Sequence, residues 1–123
     1  MILLISACND NFKKYRDVGN NRIYELQCDG KYYLSLEDCT CNNLPKNYFV
    51  PNGDENDRFY VFYAREENSK VNIYTLYQNF EYFGDINRKV NFHISQDNSE
   101  FMDFIKQKNL IVFKGYSNGK MKP

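Results

Sequence analysis

RFYVFYAREENSKVNIYTLYQNFEYFGDINRKVNFHIS, residues Arg58 to Ser95, decides the fold, because it reads as successive β-strands. In Arg58 to Arg65, Phe59, Val61 and Tyr63 fall on one face and Tyr60, Phe62 and Ala64 on the other, since strand side chains alternate with a period of two. Both faces are apolar, as in a strand covered on both sides near the middle of a sheet. Glu66 to Ser69 make a polar break, read as a four-residue hairpin connection. Lys70 to Tyr77 then resumes with Val71, Ile73, Thr75 and Tyr77 in step, and the two strands are expected to pair antiparallel. Beyond a bend at Gly84 and Asp85, Arg88 to Ser95 places Val90, Phe92 and Ile94 inward and Asn91, His93 and Ser95 outward, so this strand has one wet face.

Working outward toward the N-terminus, Glu37 to Asp57 is dominated by turn residues: Pro45, Pro51, Gly53 and many Asn and Asp. A loop of this length in a compact domain is usually functional or disordered. The apolar island Tyr48-Phe49-Val50 is expected to pin it to a sheet edge. Before it, Arg22 to Leu36 is a hairpin with Asp29-Gly30 between two alternating runs. A two-residue loop would pair Cys28 with Lys31. A three-residue loop of Cys28, Asp29 and Gly30 pairs Leu26 with Tyr32 and Tyr24 with Leu34, uniting one apolar face and leaving Cys28 at an exposed tip, and is the preferred register. Asn9 to Asn21 lacks a sustained apolar period and reads as a polar tether.

On the other side, Asp97 to Asn109 has a helix pattern. Asp97 is the cap, Glu100 stands at the third helical position, Phe101, Phe104 and Ile105 form a core stripe, and Lys106 and Lys108 suit the negative end of the dipole. Leu110 to Lys114 reads as a final strand and Gly115 to Pro123 as a frayed tail.

The totals agree with this pattern. The 123 residues make one domain, 22–114 by these boundaries, and 11 Tyr with 10 Phe favour half-buried strands. Sixteen basic and 16 acidic residues balance without a basic block, which excludes phosphate-driven nucleic-acid binding as a leading class. No apolar stretch approaches the roughly 20 residues of a spanning helix.

Met1 to Cys8 reads MILLISAC, and Ile5-Ser6-Ala7-Cys8 resembles the lipobox that ends a bacterial lipoprotein signal peptide. The likeness covers eight residues. Ile2 to Ile5 is shorter than the 7–15 residues of a typical signal core, and no Lys or Arg precedes it. The resemblance implies lipid on Cys8, a membrane anchor through it, and a place in the cell envelope, periplasmic or surface. The alternative is a short N-terminal strand of a cytoplasmic domain, with Cys8 a buried thiol.

With Cys8 lipidated, Cys28, Cys39 and Cys41 supply one disulfide and one odd thiol. Bridging Cys28 to Cys39 or to Cys41 closes a loop of about a dozen residues, a contribution of ~3 kcal/mol in the chain-entropy account. Four reduced thiols in the cytosol are the alternative. A zinc site from Cys28, Cys39, Cys41 and His93 ranks below, because C-x-C departs from the usual knuckle spacing. His93, the single histidine, would have to serve any Cys-His or Ser-His chemistry, with Cys41 or a nearby serine as the candidate nucleophile. No activating motif accompanies it, so a solvated surface histidine is the default and no catalytic residue is assigned. Asp54, Glu55, Asn56 and Asp57 lack the order of a calcium loop. No metal or cofactor is called for.

Tyr24, Tyr33, Tyr60, Tyr74 and Tyr82 cannot all be buried with satisfied hydroxyls, and exposed tyrosine is common on protein-binding surfaces. The loop from Glu37 to Asp57 with neighbouring tyrosines is the expected recognition surface, its candidate residues Tyr48, Phe49, Asp54, Glu55, Tyr60 and Tyr74; the alternative for the tyrosines is an aromatic coat on a second sheet face covered by the helix. The run Tyr24 to Gly30, YELQCDG, is similar to the first hairpin of membrane-bound lysozyme inhibitors, although that family's later inhibitory motif has no counterpart here. The expectation is an α+β domain, an antiparallel sheet of about five or six strands with one C-terminal helix on one face. Its expected role is that of a non-enzymatic, envelope-anchored module that binds another protein, in the manner of an inhibitor or immunity lipoprotein. A cytosolic interaction domain and a hydrolytic or thiol enzyme using His93 are the alternatives.

Overall fold

A computed structural model describes residues 11–51, 59–77, 79–107 and 109–116. Among the described residues the chain is an α+β protein, mostly antiparallel strand with one helix near the C-terminus. Strands β1 (Phe12–Val18), β2 (Asn21–Cys28), β3 (Lys31–Ser35) and β4 (Tyr48–Pro51), with β7 (Phe80–Phe83), make a five-stranded antiparallel sheet in the order β1-β2-β3-β4-β7. Strands β5 (Phe59–Glu67), β6 (Lys70–Leu76), β8 (Val90–Ser95) and β9 (Ile111–Tyr116) make a second sheet in the order β8-β6-β5-β9. Its β6 and β8 run parallel. Between them the chain crosses to the first sheet as β7, so it returns in its original direction.

The two sheets pack face to face. Ile23, Leu34 and Phe49 of the first meet Tyr60, Phe62, Val71, Ile73 and Phe113 of the second in one core. Phe49 and Phe62 touch edge to face at 5.9 Å, and Phe62 stacks on Phe113 at 4.8 Å. The helix α1 (Asn98–Gln107) covers the outer face of the second sheet, with Phe101 against Tyr63 at 5.7 Å and Phe104 against Tyr74 at 4.6 Å. The two-sided apolar pattern of β5 has this cause: Tyr60, Phe62 and Ala64 face the other sheet, while Tyr63 faces the helix. Asp97 caps α1, its Oδ1 accepting from the Glu100 N–H at 2.9 Å.

The segment expected as a tether is an edge strand instead. Of Phe12–Val18 only Val18 is buried, so no apolar period marks β1, and its lysines suit an edge that must not pair further. The preferred register of the first hairpin is also overturned. Cys28 pairs with Lys31, Leu26 with Tyr33 and Tyr24 with Ser35 around a two-residue turn, Asp29 at φ 51° and Gly30 at φ 83°. Uniting one apolar face was the wrong criterion, because β2 and β3 are covered on both faces: Ile23, Tyr32 and Leu34 by the second sheet, and Leu26, Cys28 and Tyr33 by the loop that carries Cys39. Cys28 is accordingly buried, not at an exposed tip. The polar break after β5 shrinks to Asn68-Ser69, with Glu67 paired to Lys70. The final strand reaches Tyr116, two residues beyond the expected end. Cys8, Asp54 and Glu55 lie outside the described residues.

Candidate binding face

The outer face of the five-stranded sheet is built by alternation. Pairing of Tyr15 with Tyr24, Leu26 with Tyr33 and Tyr48 with Phe83 puts aromatic residues of all five strands on one side. Tyr15 and Tyr24 lie 5.7 Å apart, Tyr33 and Tyr48 5.0 Å, and Tyr48 stacks on Phe83 at 4.5 Å. The ends of the row are open, Tyr15 being 50% exposed and Phe83 37%, whereas Tyr33 at its middle is buried. Cations sit over its β1 end, the Arg22 guanidinium 4.0 Å from the Tyr15 ring and Lys13 Nζ 5.4 Å from the Tyr24 ring.

The loop between β3 and β4 lies on the middle of this face and is fastened from several sides. Cys28 and Cys41 form a disulfide, Lys13 pairs with Asp38, and Thr40 and Asn43 exchange two backbone hydrogen bonds. Cys39 is a buried free thiol packed in the same cluster, and burial pushes its pKa up, so it is held as the unreactive thiol. The Glu37 carboxylate accepts from the Lys46 and Asn47 backbone N–H groups at 3.4 and 3.1 Å and from Asn47 Nδ2 at 2.9 Å. Burial pushes Glu37 up, but these bonds outweigh it and hold its carboxyl below the ordinary value. An aromatic row, flanked by paired charges and carrying a pinned loop, offers contact area.

Of the residues expected on a binding surface, Tyr48 lies in this row. Phe49 and Tyr60 do not belong to a surface at all: both are completely buried between the sheets, because alternation turns them inward. Tyr74 is half-buried on the outer face of the other sheet, its hydroxyl donating to Glu67 Oε1 at 2.9 Å. Burial, then Glu67, push its pKa up to about 12. Tyr15, Tyr24, Tyr33 and Phe83 complete the row and were not grouped from sequence, since only the two-residue hairpin register sets Tyr24 and Tyr33 on one side.

His93 stacks on Tyr74 at 4.6 Å, with Nε2 2.9 Å from Asn72 Oδ1, on the outer face of the second sheet. Cys28 and Cys41 are bonded to each other on the outer face of the first. The two faces point away from each other, so Cys41 is no nucleophile for His93, and the three cysteines and His93 do not converge on a zinc ion. Among the described residues no group of three or more metal-ligating side chains occurs. No helix there is long and apolar enough to cross a membrane. No protein-family model, curated protein or solved structure matches this chain.

Proposed function

We propose that the chain is an exported protein-binding domain, held at a bacterial envelope by lipid on Cys8, and that it meets its partner through the aromatic outer face of the five-stranded sheet. The observation that carries this reading is the Cys28–Cys41 disulfide. Such bonds persist in oxidising compartments and are rare in the cytosol. With Cys28 and Cys41 joined and Cys39 buried, Cys8 is the cysteine left for the lipid that the Ile5-Ser6-Ala7-Cys8 resemblance implies. Asn11, three residues after Cys8, accepts a hydrogen bond from the Asp29 N–H at 2.8 Å. Three residues span about 10 Å at most, so an anchor at Cys8 holds the Asp29-Gly30 end of the sandwich close to the membrane and leaves the Tyr48 and Phe83 end of the row outward. The specific form of the proposal is an inhibitor or immunity-type lipoprotein that blocks a hydrolase or toxin, in keeping with the hairpin YELQCDG.

The test is the intact mass of the protein expressed from its natural gene in a bacterial host. A diacyl or triacyl mass on a chain beginning at Cys8, with two of the remaining three thiols resistant to alkylation, is the expected result. A chain that retains the residues before Cys8 and has four alkylatable thiols overturns it and favours a cytosolic interaction domain. For the binding surface, Tyr48→Ala with Phe83→Ala is expected to abolish inhibition of any hydrolase, muramidases first, that the wild-type domain blocks.

A further inference from the structure

A cleft of about 380 Å³ opens between the first turns of α1 and the outer face of β6 and β8. Its walls are aromatic, Tyr74, Phe101 and Phe104, and its polar groups are His93, Ser95 and Glu100. All three present acceptors.

The hydrogen-bond network assigns the His93 tautomer. Asn72 Nδ2 donates to the carbonyls of Glu67 and Lys70 at 3.4 and 3.2 Å, and Asn72 Oδ1 accepts from Asn91 Nδ2 at 3.3 Å. The oxygen of the amide therefore faces the ring, the hydrogen sits on His93 Nε2, and in the neutral imidazole Nδ1 is an acceptor without a partner among the described residues. Ser95 Oγ spends its hydrogen on the Asp97 carbonyl at 3.2 Å and also accepts the Asp97 N–H at 3.3 Å. That second bond releases Glu100. In a full capping box the Glu100 carboxylate would take the Asp97 N–H. Here Ser95 holds it, and among the described residues the Glu100 carboxylate has neither a hydrogen-bond nor an ion-pair partner, although it lines the cleft.

A carboxylate, an imidazole lone pair and aromatic faces around one small cavity complement a positively charged N–H donor on an apolar stem. We infer that this cleft is a receptor site for an organic cation, a guanidinium or ammonium group carried on a short apolar chain. The planar guanidinium fits better than the ammonium, since its fork directs several N–H groups at once toward Glu100 and His93. The site stands on the opposite side of the molecule from the aromatic row and does not depend on it. The cation comes either from a free small molecule or from an arginine side chain of a protein.

Titration of the full chain, followed by amide chemical shifts, tests the inference with n-butylguanidinium and its neutral isostere n-butylurea. The expected result is saturable shifts at His93, Ser95, Glu100 and Phe104 with the cation and affinity at least about tenfold weaker for the urea, since the urea lacks the charge. Glu100→Gln, at an exposed position, is expected to weaken the cation about tenfold and leave urea binding unchanged. Phe104→Leu keeps the apolar wall and is expected to weaken the cation by severalfold through the lost ring face. Equal responses to cation and urea, or no saturable response to either, overturn the inference in the wild-type protein without recourse to a variant. Agmatine and Nα-acetylarginine methylamide separate the sources: comparable binding of both means that a peptide-borne arginine enters, and binding of agmatine alone means a free cation.

Discussion

The most consequential single residue inside the sandwich is Glu25. It is 2% exposed and sits on the inner face of β2. Its Oε1 accepts from Tyr60 Oη at 2.9 Å and Tyr32 Oη at 3.2 Å, and the two hydroxyls lie 2.6 Å apart. Burial, and after it the adjacent Glu25 carboxylate, push the Tyr32 hydroxyl up; burial, Tyr32 and Glu25 do the same for Tyr60, so both stay protonated and donate. A buried carboxylate deprived of a donor retains its desolvation cost. Tyr60→Phe is therefore expected to cost about 2 kcal/mol in urea unfolding, and Tyr32→Phe less, because Tyr60 makes the shorter bond to the carboxylate. Equal losses, or none, would show that Glu25 does not rely on these hydroxyls. Gly115 leaves room for this arrangement, since a Cβ there would lie 2.6 Å from Tyr60 Oη. Sequence marks Tyr60 as an aromatic strand residue but is silent on which side of the strand is the protein's interior. Glu25 reads as an ordinary surface acid, because its partners stand 7 and 35 residues away.

At the scale of elements, the turns carry strain, and the expected three- and four-residue connections both shrink to two residues. Gly19 at φ 65°, Asp29-Gly30 and Asn68-Ser69 close three two-residue hairpins with left-handed residues. Ser69, at φ 67°, occupies a position that glycine fills without steric cost. Ser69→Gly is expected to stabilise the protein by about 0.5 kcal/mol, the relief of left-handed strain exceeding the added freedom of the unfolded chain. A lowered urea midpoint would mean that the Ser69 side chain makes a compensating bond. The missed strand, β1, shows the limit of reading by period. Tertiary pairing with β2 makes it a strand, and a strand that buries one side chain leaves no apolar rhythm to find. The loop between β3 and β4 is held by charge. Its Glu37 has a folded pKa lowered from the ordinary 4.5, so its stabilising contribution is present above that value and is lost as pH falls below it, through the lowered pKa. Protection factors across residues 37–47, with the intrinsic slowing of exchange by acid divided out, should fall on acidification in the wild type, whereas Glu37→Gln should show lower protection already at neutral pH and little further acid step.

At the scale of the whole molecule, strand alternation reported the double cover of β5 but not what supplies it, and missed the double cover of β2 and β3. For β5 the two covers are another sheet and a helix, and the expectation of one five- or six-stranded sheet resolves into sheets of five and four strands. Which layer covers a strand depends on crossings such as β6 to β7 to β8, set by long-range contacts that a period of two does not encode. The same division separates two clusters, one between the sheets and a smaller one on the outer face of the first, made of Leu26, Cys28, Tyr33 and Cys39. The disulfide belongs to the smaller cluster. It joins residues 13 apart, and its loss restores loop entropy worth about 3 kcal/mol to the unfolded chain. Replacing both partners, Cys28→Ser with Cys41→Ser, leaves Cys39 with neither of them to bond. This variant should lose about 3 kcal/mol of unfolding free energy in urea while keeping its near-ultraviolet aromatic signal, because Phe49, Phe62 and Phe113 pack without the loop. Amide exchange should then quicken over residues 36–47 and stay slow at Val71, Ile73 and Phe113. Loss of protection throughout both sheets would instead make the loop an integral part of the sandwich. An unchanged midpoint would mean that the disulfide constrains the outer face of the five-stranded sheet alone and contributes nothing to the fold beneath it.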